Sequence, residues 1–316
     1  MENSLAEKYG YLPYMVERYL KLFGRDETIK LLEANEKPLI PTIRVNPLKI
    51  EIKSIIEKLQ SKGFKLEKLD WIDYGYKVKH SPMNLGSLHE FLHGYYYLQS
   101  YASMIPVHVL DPKPGETVVD MCAAPGSKST QISQLMQNNG KLILFDKNEK
   151  RIPALNVNLS RMGVANSIVI NQDAINLQKL GIKADKILLD APCTGEGLIR
   201  RDPKRKTSRT IDDIKKLQNF QTKLLQAGLN TLKKGGRLIY STCSIAPEEN
   251  EIVIDRVVKK NDGIKITEIK DKIGLLGLIE FDGLDFNSDL KHAQRIYPHT
   301  HDSEGFFYCL MERNKE

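Results

Sequence analysis

Thr117-Val-Val-Asp-Met-Cys-Ala-Ala-Pro-Gly-Ser-Lys128 reads as a short apolar strand, a small glycine-bearing turn and the opening of a helix that runs from about Ser127 to Met136. The same alternation continues downstream. Lys141–Asp146 predicts a strand and Ile152–Met162 a helix; Ile168–Asn171 and Lys186–Asp190 predict two further strands. Ile211, Ile214, Leu217, Leu224, Leu225, Gly228 and Leu232 form one stripe of a long helix. Gly235-Gly236 closes that helix, and Arg237–Ser241 predicts another strand. Alternation of this kind predicts an α/β fold, a doubly wound and mainly parallel sheet with helices on both faces.

Upstream the pattern differs. Helical spacing of Tyr11, Met15, Tyr19, Leu20 and Phe23 predicts helices over residues 9–34, with a break at Gly24. After Pro38 and Pro41, Thr42–Asn46 predicts a strand. Ile52, Ile55, Ile56 and Leu59 predict an amphipathic helix ending at Gly63, and Phe64–Leu69 and Tyr76–Val78 predict two short strands. This is a small α+β module, and turns up to Gly86 divide it from the rest, giving residues 1–85 and 86–316 as two domains. The aromatic run Phe91, Tyr95, Tyr96, Tyr97 and Leu98 predicts a helix packing its rings into the second domain.

Composition narrows the classes. The 316 residues are 41% hydrophobic, enough for a proper core, and no eighteen consecutive apolar residues occur. The opening residues lack the basic-then-apolar order of a secretion signal, so the cytoplasm is the expected location. Cys122, Cys193, Cys243 and Cys309 lie far apart with no C-x-x-C pair, which argues against a structural metal site and a disulfide framework. The net charge of +7 points to a polyanionic partner, nucleic acid first, against the plainer reading of a lysine-rich surface.

The turn Cys122-Ala123-Ala124-Pro125-Gly126-Ser127-Lys128 is built of small residues at a helix N-terminus, where a ligand can approach the backbone. It matches neither G-x-G-x-x-G nor the G-x-x-x-x-G-K-[ST] phosphate loop, which argues against a dinucleotide or a triphosphate. Asp146 ends the second strand, where an acid suits the paired hydroxyls of a ribose, and Asp173 after the third strand suits an adenine amino group. Together these imply an adenosine-bearing ligand without a phosphate clamp, and S-adenosylmethionine fits. Two further stretches end strands with a thiol: Asp190-Ala-Pro-Cys-Thr-Gly-Glu-Gly197 and Tyr240-Ser-Thr-Cys-Ser-Ile-Ala-Pro-Glu-Glu-Asn-Glu251. If their strands are neighbours, Cys193 and Cys243 face one pocket. Glu248, Glu249 and Glu251 fall in the first turns of a helix opened by Pro247, where acids favour the dipole.

These three motifs resemble those of the RNA cytosine-5 methyltransferase family, the RsmB/Nop2/Sun group. Thr42–Pro47, Gly94–Gln99 and Arg295–Phe307 add lesser matches, so the resemblance covers nearly the whole chain. It implies a Rossmann-like class I methyltransferase domain, S-adenosylmethionine as cofactor and RNA as substrate. It further implies Cys243 as nucleophile at C6 of cytosine and Cys193 as the thiol that assists product release. The cofactor is then held by Cys122–Lys128, Asp146, Arg151, Asp173 and Asp190. Asp190 also bonds the polar edge of the base, and Lys128 organises Asp190 or moves a proton. A free thiol titrates at roughly 8.5, so Cys243 needs help to ionise. Ser127 stands where many relatives carry glycine; as a helix-start serine it is expected to cap the helix, and it resembles the tRNA-acting archaeal branch.

RNA contact is expected from Arg200-Arg-Asp-Pro-Lys-Arg-Lys-Thr-Ser-Arg209, with six basic residues and one acid, and from Arg44. His292, His299 and His301 lack cysteine partners and read as structural or RNA-facing, not as metal ligands; Cys309 reads as core in a closing strand. The short N-terminal module favours tRNA over rRNA, acted on by a monomer. A DNA cytosine-5 enzyme and a non-catalytic RNA-binding scaffold are the competing readings.

Overall fold

A computed structural model describes residues 2–315. Helices α1 (Glu2–Tyr9) and α2 (Pro13–Asn35) come first, the latter kinked where Gly24 takes φ +72°. Then follow β1 (Thr42–Val45), α3 (Ile52–Ser61), β2 (Lys65–Lys68), β3 (Gly75–His80), α4 (His89–Leu92), β4 (Tyr96–Leu98) and α5 (Tyr101–Leu110). The alternating part is β5 (Thr117–Asp120), α6 (Ser127–Leu135), β6 (Lys141–Phe145), α7 (Ile152–Met162), β7 (Ser167–Ile170), β8 (Ala184–Asp190), α8 (Ile211–Thr231) and β9 (Leu232–Thr242). The chain closes with α9 (Glu251–Val258), β10 (Ile264–Ile266), β11 (Leu275–Leu276), β12 (Glu280–Phe281), β13 (Leu284–Asp285), β14 (Gln294–Ile296), α10 (Pro298–His301) and β15 (Phe306–Arg313). No helix among the described residues is long and apolar enough to cross a membrane.

The described residues fall into two compact units that are not consecutive in sequence. One runs through Ile40–Asp190 and Ala227–Ile239; the other takes the chain up to Leu39, with Ala191–Gln226 and Tyr240–Asn314. In the first unit β6, β5 and β8 are parallel neighbours, with β7 parallel at the edge beside β6. Val118, Val119, Leu142, Leu144, Ile187, Leu188 and Leu189 have no exposure, as expected of strands covered on both faces. Because these strands are parallel, the acids that end them share one edge of the sheet, the edge where open α/β sheets take their ligands. The mainly parallel sheet read from the sequence is therefore present. The strand expected at Arg237–Ser241 is longer, starting at Leu232 directly after α8.

The same unit contains a four-stranded antiparallel sheet in the order β2-β3-β1-β4. Its fourth strand corrects an expectation. The aromatic run is not one helix: α4 stops at Leu92, and Tyr96 and Tyr97 pair with Val45 and Arg44 as β4, beyond residue 85. The cause is Gly94. Its φ of +74° ends the helix, and a Cβ there would lie 1.9 Å from the carbonyl oxygen of Arg161 at the end of α7. Asn46 donates to the carbonyls of Gly94 and Met162 at 2.9 and 2.8 Å, fixing the same junction.

In the second unit α1 and α2 pack Leu5, Met15, Val16, Tyr19, Leu31 and Leu32 onto Ile199, Ile245 and Tyr297. The antiparallel strands β11, β14, β15 and β10 belong here, with Cys309 buried in β15 as expected of core. Arg295 of β14 is also buried and pairs with Glu251, while donating to the carbonyl of Ile245 at 3.0 Å.

Asp120 ends β5 with 1% exposure. Its carboxyl accepts from Ser129 Oγ at 2.7 Å and from the Cys122 N–H at 3.2 Å, which ties β5 to the start of α6. Burial pushes it up to about 7, with Asp190 adding to the rise and the two hydrogen bonds opposing it.

Two predictions follow from this packing. Gly94→Ala should destabilise the protein by about 2–4 kcal/mol, from a left-handed residue given a Cβ and a clash with backbone, measured as a lower urea midpoint. For Asp120, the unfolded carboxyl titrates near 3.9. Between roughly pH 4 and 7 the folded state keeps a proton the unfolded state has lost, so stability falls as pH rises through that window. From pH 5 to pH 8 the wild type should lose about 2–3 kcal/mol relative to Asp120→Asn; parallel urea titrations of the two proteins show the change directly.

Candidate active site

The acid edge of the first unit is built from the strand ends outward. After β5 the turn Met121–Gly126 is pinned on both sides, Met121 N–H to the Leu188 carbonyl at 3.0 Å and Ala123 N–H to the Phe145 carbonyl at 2.8 Å. Gly126, at φ +103°, occupies the helix cap position of α6, and no side chain caps it. Ser127 is thus the first helical residue and not the cap, because the left-handed glycine takes the position before it; its carbonyl accepts from Thr130 Oγ1 at 3.0 Å. Lys128, 8% exposed, reaches Asp190 with its Nζ 2.8 Å from Oδ2.

Asp146, 4% exposed, accepts from Ala124 N–H at 3.1 Å and Asn148 N–H at 2.9 Å, and lies 3.2 Å from Arg151. Arg151 also donates to the Ala124 carbonyl, so its visible role is to brace the turn against Asp146. Asp173 is half-buried and its Oδ1 accepts from the Ile175 N–H at 3.1 Å, capping the short helical segment Ala174–Leu180. Pro125 is joined to Ala124 by a cis bond, and its carbonyl accepts from Asn158 at 2.9 Å. Burial, with Asp120, Asp190 and Asp146, pushes the Cys122 thiol up, so Cys122 is held as a thiol and not as a thiolate. The donor set is one of carboxylates and backbone groups, and its lysine is engaged by Asp190. That chemistry suits hydroxyls, an amine and a cation, and it lacks a free cationic clamp for phosphate.

Asp190 is joined through Ala191 and Pro192 to the other unit, where the two half-exposed thiols meet. Cys193 Sγ and Cys243 Sγ are 3.1 Å apart. Three sets of bonds hold them there. The Gly197 N–H donates to the Cys243 carbonyl at 2.9 Å. Thr194 donates its N–H and its hydroxyl to Glu249 at 2.9 and 2.5 Å. Gln221 of α8 donates to the Pro192 carbonyl at 2.8 Å and to Glu249 at 3.1 Å. Gly197 itself is packed on Gly305, where a Cβ would lie 2.0 Å from the Gly305 carbonyl oxygen.

The structure relocates several expected contacts. Glu249 and Glu251 are fully buried acceptors, for Thr194 and Arg295; the segment Pro247–Glu249 is a single 3-10 turn, and Glu251 lies in the first turn of α9 as expected. Arg44 has no exposure and donates to Thr130 Oγ1 at 2.7 Å, so it is a packing residue here. Three of the six basic residues in Arg200–Arg209 are used internally. Arg200 donates to the carbonyls of Lys37 and Pro38, each at 3.0 Å, Arg205 to the Thr194 carbonyl at 2.6 Å, and Lys206 to the Tyr9 carbonyl at 2.9 Å. Arg201, Lys204 and Arg209 remain exposed. His301 Nδ1 accepts from the Tyr297 N–H at 3.1 Å, and His299 packs edge-on to Phe23. Sequence reading missed Thr194, Gln221 and Arg205 as supports of the thiol turn, since what each holds is set by the fold and not by a local motif.

Comparisons with known proteins complete the picture. The family model described as 16S rRNA methyltransferase RsmB/F matches residues 107–312, and that of the N-terminal domain of 16S rRNA methyltransferase RsmF matches residues 12–100. A 28S rRNA (cytosine-C(5))-methyltransferase of Mus musculus is 37% identical over 99% of this chain. The chain spans only 39–52% of the length of this and similar eukaryotic relatives. A tRNA (cytosine(49)-C(5))-methyltransferase of Pyrococcus abyssi is 38% identical, with 95% of each chain covered. A crystal structure of a methyltransferase homolog protein from Pyrococcus horikoshii superposes with a TM-score of 0.89 at 40% identity, covering 98% of this chain and 97% of that one. A family match over more than half of the chain, together with relatives aligned along nearly all of it, shows that this chain belongs to the RNA cytosine-C5 methyltransferase family of RsmB and RsmF.

Proposed function

We propose that this protein is an S-adenosylmethionine-dependent RNA methyltransferase that forms 5-methylcytosine, acts on tRNA, and works as a cytoplasmic monomer. The observation that carries the reaction is the 3.1 Å approach of two thiols, Cys243 directly after β9 and Cys193 three residues beyond the end of β8. The preference for tRNA rests on the Pyrococcus abyssi enzyme, which this chain matches over 95% of both lengths. The longer rRNA relatives favour the second reading, the same chemistry on rRNA.

C5 of cytosine is a poor nucleophile. Addition of the Cys243 thiolate to C6 breaks the ring's conjugation and leaves an enamine whose C5 carries electron density. S-adenosylmethionine, when bound, supplies an activated methyl group to that carbon. Loss of the C5 proton to a base then lets the C6–S bond break, the electron pair returning to sulfur. Cys193 lies within hydrogen-bonding distance of that sulfur and serves as its proton partner during release. Asp190, ordered by Lys128, bonds the polar edge of the base. Asp146 and Asp173 take the ribose hydroxyls and the adenine amine, with Arg151 keeping the Cys122–Lys128 turn in place.

Tritiated methyl transfer to unmodified tRNA, rRNA and DNA tests the substrate class. Incorporation into tRNA is expected; incorporation into rRNA alone overturns the preference, and none into any RNA overturns the enzyme. Cys243→Ser should lower turnover roughly a thousandfold or more. Cys193→Ala should bind and attack normally but accumulate a covalent protein–RNA adduct, seen as a band resistant to denaturing electrophoresis. Normal release by that variant removes Cys193 from the mechanism.

A further inference from the structure

One ion cluster of the second unit is unexplained by the roles above. Arg18 of α2 is buried, with 6% of its side chain exposed, and it faces two carboxylates. Its Nη1 lies 2.7 Å from Glu196 Oε2, and its Nε donates to Glu248 Oε1 at 3.1 Å. Glu196 belongs to the turn three residues after Cys193, and Glu248 lies five residues after Cys243. Arg18 is 178 and 230 residues away from these two in sequence. Ties between the thiol loops described above come from the loops themselves, from α8 and from Gly305. This one comes from the N-terminal helices.

The electrostatics make the tie directional. Without the guanidinium, Glu196 (2% exposed) and Glu248 (30% exposed) become two neighbouring acids with no shared cation. Burial, with Glu248 and Glu249, already pushes the Glu196 carboxyl up against the pull of Arg18, so without that cation Glu196 takes up a proton and the turns that carry the two acids lose their ionic tie. Those turns carry the thiols. A fixed planar fork is also the group suited to bridging two carboxylates, which a single ammonium does less well.

We propose that Arg18 is a positioning residue for the thiol pair: by bridging Glu196 and Glu248 it holds Cys193 against Cys243, and so makes the N-terminal helices part of the machinery that releases methylated RNA. The inference rests on the two-thiol mechanism proposed above, but the spacing it concerns can be measured without RNA. Its signature is a split between steps. Attack by Cys243 continues, whereas release, which needs Cys193 within reach, slows.

The test compares wild type, Arg18→Met, Arg18→Lys and the triple variant Arg18→Met/Glu196→Gln/Glu248→Gln. The first readout is the rate at which diamide, which takes two hydrogen atoms from a thiol pair, yields the Cys193–Cys243 disulfide, identified by peptide mass. Arg18→Met should form it about tenfold more slowly, a small displacement being enough to cost that much. Arg18→Lys should lie between it and the wild type. The triple variant, which lacks the bridge as well, should stay as slow as Arg18→Met. The second readout is the ratio of covalent RNA adduct to released product, which should rise in Arg18→Met. If Arg18→Met does not fold, Glu248→Ala severs the more exposed arm and carries the same two readouts. A wild-type disulfide rate in either single variant overturns the proposal. Failure of wild type to methylate any RNA, with the disulfide rates as expected, overturns the mechanism and leaves the positioning role standing.

Discussion

A buried carboxylate is costly unless it is hydrogen-bonded, and Glu249 is where this rule shapes the second unit. With no exposure, it takes the N–H and hydroxyl of Thr194 and the amide of Gln221. The partner residue follows Cys193 directly, and Glu249 itself lies six residues beyond Cys243. Satisfying one acid therefore helps to bring together two chain segments that α8 separates in sequence. The Gly197–Cys243 backbone bond, the close packing of Gly197 on Gly305 and the Arg18 bridge then narrow the arrangements open to the thiols. The 3.1 Å separation is a consequence of these bonds, since two thiols attract each other too weakly to impose it.

The first unit applies the same rule differently. Asp146 is satisfied by backbone N–H groups of the turn it faces, and Asp120 by Ser129 and the Cys122 N–H. Each acid organises a loop while standing at the edge of a parallel sheet. Asp190 is less buried and pairs with Lys128 at the point where the chain passes to Cys193. The acids differ in burial and in partners, and hence in what is left of each to offer a ligand.

Much of this was legible in the sequence, for local reasons. The strands of the parallel sheet are short apolar runs bounded by glycine or acid, and the candidate site residues sit at their ends, so period and position sufficed to place them. What was not legible depended on partners far along the chain. Tyr96 and Tyr97 form a strand because β1 is there to pair with and because Gly94 meets the end of α7. Their own spacing suits a helix equally well. Ser127 looked like a cap until the left-handed Gly126 took that place. Glu248 and Glu249 looked like acids for a helix dipole, and neither Arg18 nor Thr194 is near enough in sequence to suggest otherwise.

The basic segment after Cys193 shows why charge counting is a poor guide to RNA contact. Arg200, Arg205 and Lys206 spend their donors on carbonyls of the second unit, where they secure the thiol turn and the N-terminal helices. Arg205 lies against Gly195, whose Cβ would come within 2.4 Å of its guanidinium, so the cation covers the turn that Thr194 anchors from the other side. An arginine used in this way cannot also grip phosphate without loosening the turn. The exposed Arg201, Lys204 and Arg209 are free of that conflict. Backbone binding by such surface cations would leave the thiol geometry undisturbed while giving the salt dependence expected of a polyanion partner.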